Sequence, residues 1–239
     1  MQGEAAFGSK DAAMQADERL LKDFYFAFEE RFRGSSEEIG ERLSVYLPYL
    51  SQTPQGPQPV VDIGCGRGEW LELLRDAGYA AVGIDSDPAM VNHGKSRNLE
   101  IVQSDGLSYL ASLADRSVRA VSAFHLFEHL PFGVTLQMLK EIVRVVRPGG
   151  VALFETPNPH NILVGACNFY NDPTHLRPIP SELLSFAVEY CGLENATVLL
   201  LHDAAEGHRI NERLDTLEYR FNDLFYGPQD YALIAYKNE

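Results

Sequence analysis

The 239-residue chain sets 20 Lys and Arg against 34 Asp and Glu, a formal net charge of −14, with 45% hydrophobic and 23% charged residues. That balance belongs to a globular protein able to bury a sizeable core and excludes a disordered chain, while a surface so acidic repels phosphodiester backbones, so nucleic acid is not an expected partner. No apolar run reaches the roughly 18 residues of a membrane span. The start lacks the basic and apolar regions of a signal peptide, and Cys65, Cys167 and Cys191 form no C-x-x-C pair, so a reducing cytoplasm is the expected setting.

In chain order, Leu20, Leu21, Phe24, Phe28 and Phe32 recur at helical spacing over 17–33, and Gly34 stops that helix. Ser35-x-x-Glu38 is a capping box for a second helix, whose stripe is Ile39, Leu43, Tyr46, Leu47 and Leu50. The Pro- and Gln-rich 51–58 reads as a linker, dividing a helical extension (1–57) from a main domain (58–239). Strands PVVDI, AAVGID, IVQSD, RAVSAFH and VALFET then alternate with helices at 69–77, after Pro88, after Asp105 and at 134–147, the last closed by Pro148-Gly149-Gly150. That alternation predicts an α/β fold with a mostly parallel sheet and helices on both faces. Residues 157–180, rich in Pro, Asn and aromatics, read as a lid insertion. SELLSFAVEYCGL is a helix stopped by Gly192, and TVLLL and DYALIAY are the last strands.

The stretch VVDIGCGRGEW (60–70) carries the most chemistry. A strand delivers the chain into Gly64-x-Gly66-x-Gly68, where missing side chains let backbone amides approach a ligand, and a helix follows at once. Asp85 and Ser86 close the second strand, where a carboxylate can accept from both ribose hydroxyls. A dinucleotide turn normally reads G-x-G-x-x-G. Here the third Gly comes one residue early, and Asp62 before the turn would repel a pyrophosphate yet suits an ammonium and a sulfonium. The expected cofactor is therefore S-adenosylmethionine (SAM), held at Asp62, Gly64, Cys65, Gly66, Asp85 and Ser86. Asp105 and Gly106 would flank adenine and Phe124 would approach the methionine end. Asp105 also reads as a helix N-cap, and the two roles can coexist.

These residues resemble the class I SAM-dependent methyltransferase superfamily over about 58–155. DFYFAFEERFRGS (23–35), ETPNPHNILVGACNFYNDPTHLRP (155–178) and FYGPQDYALIAYK (225–237) resemble the methyltransferase domain of bacterial O-antigen chain-terminating methyltransferases of the WbdD type. That resemblance implies an acceptor at the end of a lipopolysaccharide glycan, either a sugar hydroxyl or a terminal phosphate. It also implies work at the cytoplasmic face, peripheral to the inner membrane, with glycan-assembly proteins as possible partners. A small metabolite or lipid-linked sugar as acceptor, or a SAM-binding scaffold without turnover, are the alternatives. Arg33 is placed either to clamp the cofactor carboxylate or to favour the end of its helix.

For the transfer itself, a hydroxyl needs a proton acceptor and a phosphate needs cationic clamps. His125, His175 and Arg177 are the candidates to hold or deprotonate the acceptor. If HLFEHL is helical, His125, Glu128 and His129 share one face. With His175 they resemble the metal set of small-RNA 2′-O-methyltransferases, though an ordering role without metal serves as well.

Overall fold

A computed structural model of the chain describes Leu20, Phe24, Arg31 and residues 34–204, 208–210 and 216–238. The helix expected over 17–33 lies outside the described residues apart from Leu20, Phe24 and Arg31, which are helical. Two compact units divide the chain at Arg42 and Leu43. In the first, the capping box forms as expected. Glu38 Oε2 accepts from the Ser35 amide at 2.9 Å, and Ser35 Oγ accepts from the Glu38 amide at 3.2 Å, at the start of α1 (Ser36–Leu43).

The second unit is built on a seven-stranded sheet. Its strands are β1 (Val60–Ile63), β2 (Ala81–Asp85), β3 (Ile101–Gln103), β4 (Val118–Phe124), β5 (Val146–Pro157), β6 (Glu194–Asp203) and β7 (Pro228–Tyr236). They lie in the order β3-β2-β1-β4-β5-β7-β6. β1 to β5 pair in parallel, and β7 runs antiparallel between β5 and β6. All four residues of β1 are buried, as a strand covered on both faces requires. Around the sheet pack α2 (Leu47–Ser51), α3 (Glu69–Asp76), α4 (Pro88–Ser96), α5 (Gly106–Ser112), α6 (Phe132–Val145), α7 (Ile162–Ala166), α8 (Ser181–Cys191) and α9 (Thr216–Tyr226). Asp87 caps α4 ahead of Pro88, and Gly192 ends α8 in the left-handed region at φ 111°. The main core gathers Val61, Ile63, Val121, Leu139, Ile142, Phe154, Leu184 and Leu233.

Four local differences from the expected elements have physical causes. Pro148-Gly149-Gly150 lies inside β5, because the Gly149 amide donates to the Lys237 carbonyl at 2.7 Å and the Lys237 amide to Gly150 at 3.0 Å, starting the ladder with β7 there. α9 went unforeseen although Leu217, Phe221 and Leu224 recur at helical spacing, and it buries none of its residues. His125 ends the fourth strand in the left-handed region at φ 51°, and only Phe127–His129 are helical, as a 3₁₀ turn before Pro131. Finally, the expected linker is fastened down, with residues 43–57 in the larger unit. Buried Arg119 donates to Thr53 Oγ1 at 2.6 Å and to the carbonyls of Leu50 and Thr53, while Arg147 donates to Gln58 Oε1 and the Pro54 carbonyl.

Candidate active site

Strand order reverses between β1 and β4, so the carboxyl ends of these two strands bound the crevice where open α/β sheets take ligands. The Gly-rich turn lines it. Gly64, Gly66 and Gly68 all have positive φ (71°, 52° and 87°), a conformation costly for side-chain-bearing residues. The amides of Gly64 and Cys65 both donate to the Ile84 carbonyl, at 2.8 and 3.1 Å, which pins the turn to β2. Asp85 Oδ2 accepts from the Gly66 amide at 2.9 Å and Oδ1 from Asp87 at 2.8 Å. Ser86 is an exposed bend just beyond. Buried Asp62 accepts from Ser122 Oγ on β4 at 2.7 Å.

Other expected cofactor residues divide into backbone and side-chain roles. The Cys65 side chain packs inward with Leu71, Val91, Leu99 and Ile101, over Gly83, leaving only its backbone to the crevice. Gly106 is small because a Cβ there would come 2.3 Å from Ile63 Cγ2. Asp105 realises its capping reading, accepting from the Ser108 amide at 2.9 Å, and hydrogen bonds from Ser108 hold its carboxyl below the usual range. Asp105→Ala should therefore lower stability by about 1 kcal/mol in denaturant melts. Because that carboxyl is depressed on folding, the effect is present above its unfolded pKa of about 3.9 and fades as pH falls through the folded value. Phe124 stacks on Tyr46 with ring centroids 4.7 Å apart, and Trp70 meets both rings edge-on. Arg33 lies outside the described residues.

Beyond β4 the crevice wall is made of imidazoles and carboxylates. His125 lies between two buried acids, Nδ1 3.3 Å from Glu128 Oε1 and Nε2 3.2 Å from Glu155 Oε1. Burial works against a charged ring, but Glu128 and Glu155 outweigh it and hold His125 well above the ordinary imidazole value. Glu155 Oε2 accepts from the Tyr46 hydroxyl, whose own pKa is pushed far up by burial and then by that carboxylate, so the phenol acts as a donor. The start of β7 and the end of β6 reach the same edge, with Asp230 Oδ2 2.9 Å from His202 Nδ1. Neither Glu155, Asp230, His202 nor Tyr46 was foreseen as a site residue. The one available signal was a carboxylate inside the apolar run VALFET.

The expected metal set divides in two. Glu128, His129 and His175 come together, whereas His125 faces Glu155 and Asp230, since the 3₁₀ turn gives no common helical face. His175 Nδ1 lies 2.7 Å from the Phe169 carbonyl, which can only accept, so Nδ1 carries a proton, and Nε2 lies 3.8 Å from Asp172 Oδ2. Thr174 Oγ1 gives its hydrogen to Asp172 Oδ1 and so accepts from His129 Nδ1 at 2.8 Å, which turns the proton of a neutral His129 to Nδ1. Burial, reinforced by His175, lowers the His129 pKa and favours that neutral form. Arg177 is exposed, its guanidinium 4.4 Å from the Phe132 ring centre. The segment carrying His175 is tied at both ends. Buried Asn161 donates to the Gly227 carbonyl and accepts from Leu163 and Val164, and the Leu176 amide donates to the Glu128 carbonyl at 2.8 Å.

The family described as "Methyltransferase domain" matches residues 35–222. This chain belongs to that methyltransferase family. A solved SAM-dependent methyltransferase from Archaeoglobus fulgidus is 34% identical with a TM-score of 0.82, over 90% of this chain and 100% of that one. A Mycolicibacterium smegmatis protein named "Probable S-adenosylmethionine-dependent methyltransferase" is 34% identical over 56% of this chain and 51% of its own. The demethylmenaquinone methyltransferase of Corynebacterium kroppenstedtii is 36% identical over 44% and 45%. The chain spans about half the length of the curated relatives it matches. The fold is that of a class I methyltransferase, and the methyl donor is SAM. The residues suit that donor. Asp62, Asp85 and Asp105 stand at or just beyond the carboxyl ends of three adjacent strands, a set that accepts from ammonium, ribose and amine groups and would repel a pyrophosphate. Among the described residues, no helix of this methyltransferase is long and apolar enough to cross a membrane.

Proposed function

We propose that this methyltransferase transfers the SAM methyl group to a sugar hydroxyl at the end of a bacterial surface glycan, working at the cytoplasmic face before export. The observation that carries this reading is the acceptor-side wall. It is rich in imidazole and carboxylate, with His129 and His175 beside the buried Glu128, and His125 beside Asp230 and the buried Glu155. Among the described residues no Lys or Arg is paired with those three carboxylates. Such a wall accepts from neutral hydroxyls and repels a phosphate, so of the two acceptors implied by the O-antigen resemblance the hydroxyl is favoured.

SAM supplies an electrophilic methyl carbon on a sulfonium, so the O–C bond forms as the C–S bond breaks and sulfur keeps the electron pair. The protein's part is to hold the acceptor oxygen in line, about 3 Å from that carbon, and exclude water. His175 Nε2 takes the hydroxyl proton, its ring fixed by the Phe169 carbonyl. His125, held between Glu128 and Glu155, orients the acceptor. Arg177, over the Phe132 ring, lines the outer rim. Transfer of label from methyl-labelled SAM to a lipopolysaccharide extract, followed by mass spectrometry of the labelled end, tests the reading. Label should appear as a methyl ether and survive prior phosphatase treatment of the extract; label lost with the phosphate would overturn the hydroxyl assignment.

A further inference from the structure

A second feature of the acceptor wall is independent of the His129–His175 pair. His125, Glu155, Asp230 and His202 converge from β4, β5, β7 and β6, four neighbouring strands of one sheet edge. His125 Nε2 is 3.2 Å from Glu155 Oε1, His202 Nδ1 is 2.9 Å from Asp230 Oδ2, and the same nitrogen is 3.7 Å from Glu155 Oε1. The ligand atoms of His125, Glu155 and Asp230 all lie within 4.8 Å of one another. Two imidazoles and two carboxylates bound to one ion by bonds of about 2.1 Å would stand about 3.4 Å apart along the edges of a tetrahedron. The three His–carboxylate separations bracket that value; His125, Glu155 and Asp230 form the compact triad, and His202 joins it from the side of Asp230.

The surroundings are those of a ligand set. Ligating groups are normally fixed from behind by outer partners. Here the Tyr46 hydroxyl donates to Glu155 Oε2, leaving Oε1 turned toward the histidines. Glu128 is fully buried, and its Oε1 faces the far nitrogen of His125 at 3.3 Å. That is a carboxylate–histidine arrangement with the other ring nitrogen directed into the cluster.

We infer that His125, His202, Glu155 and Asp230 bind a single divalent transition-metal cation of the zinc or manganese class. The mixed nitrogen and oxygen set favours such an ion over calcium, and the two carboxylates balance its charge. Its role rests on the acceptor reading above. The ion would lie on the acceptor side of the crevice, where a Lewis acid lowers the cost of removing the hydroxyl proton taken by His175.

The test is titration of chelator-stripped protein with Zn²⁺ and Mn²⁺ in a calorimeter, with bound metal counted by elemental analysis. One ion per chain should bind, and His202→Ala and Asp230→Asn should each weaken binding 10-fold or more while melting curves report a folded protein. His175→Ala should retain the ion. Absence of stoichiometric binding, equal affinity in the His202 and Asp230 variants, or loss of the ion in His175→Ala instead would each overturn the site. The acceptor reading fails separately. Metal bound with this dependence but no label on the glycan leaves the site standing, while label transferred at full rate after complete chelation overturns the ion's role in transfer and leaves the acceptor.

Discussion

Replacing Gly66 by valine should lower affinity for SAM more than 100-fold in calorimetry, with the fold preserved. Gly66 sits at φ 52°, where a β-branched side chain is an outlier, and its amide donates to Asp85 Oδ2 at 2.9 Å. Valine must either hold that strain or swing the amide off Asp85, the carboxylate assigned to the ribose. Alanine at the same position meets only the smaller left-handed penalty of roughly 1–2 kcal/mol and should cost about 10-fold. The ordering Gly, Ala, Val is the signature of a backbone requirement. Affinity within threefold of wild type for the valine variant would show that the turn does not hold the nucleoside.

His175→Ala should reduce turnover by about 10²- to 10³-fold while SAM affinity stays within threefold. The side chain is the proposed proton acceptor, on the segment after β5 rather than in the glycine turn, and its ring is fixed by the Nδ1–H bond to Phe169. His175→Gln, which offers a carbonyl oxygen in place of the ring nitrogen but is far less basic, should keep the acceptor KM closer to wild type than alanine does and recover little of kcat. A fall in SAM binding as large as the fall in rate would mean that His175 supports the cofactor half of the crevice, and the proton-acceptor role would be lost.

The turn and strand ends proposed to hold the donor were legible in the sequence because their rules are local. Gly64, Gly66 and Gly68 are needed within five residues of one another, Asp85 stands at the next strand end, and Asp105 is both the end of a strand segment and a helix cap. The acceptor half was legible only in part. His125, Glu128, His129 and His175 were singled out by residue type, yet their grouping depended on a helix that the chain does not make: His125 turns left-handed and the following residues wind into a 3₁₀ turn. Tyr46, Glu155, His202 and Asp230 meet across long sequence separations, which no periodicity reports. Glycines likewise had two meanings. Gly106 looked like room for adenine, whereas contact with Ile63 already forbids a side chain there.

β7 is laid between β5 and β6 although it is the last of the seven strands among the described residues. During translation the ribosome will have delivered the whole cofactor crevice, and β6 as well, before the strand that joins them into one sheet emerges. Until it inserts, β5 presents an open edge, β6 has no neighbour, and Asp230 is missing from the mouth. A nascent chain can thus complete the strand ends around the glycine turn early, while Asp230 and the joining of β5 to β6 arrive only with this late long-range pairing.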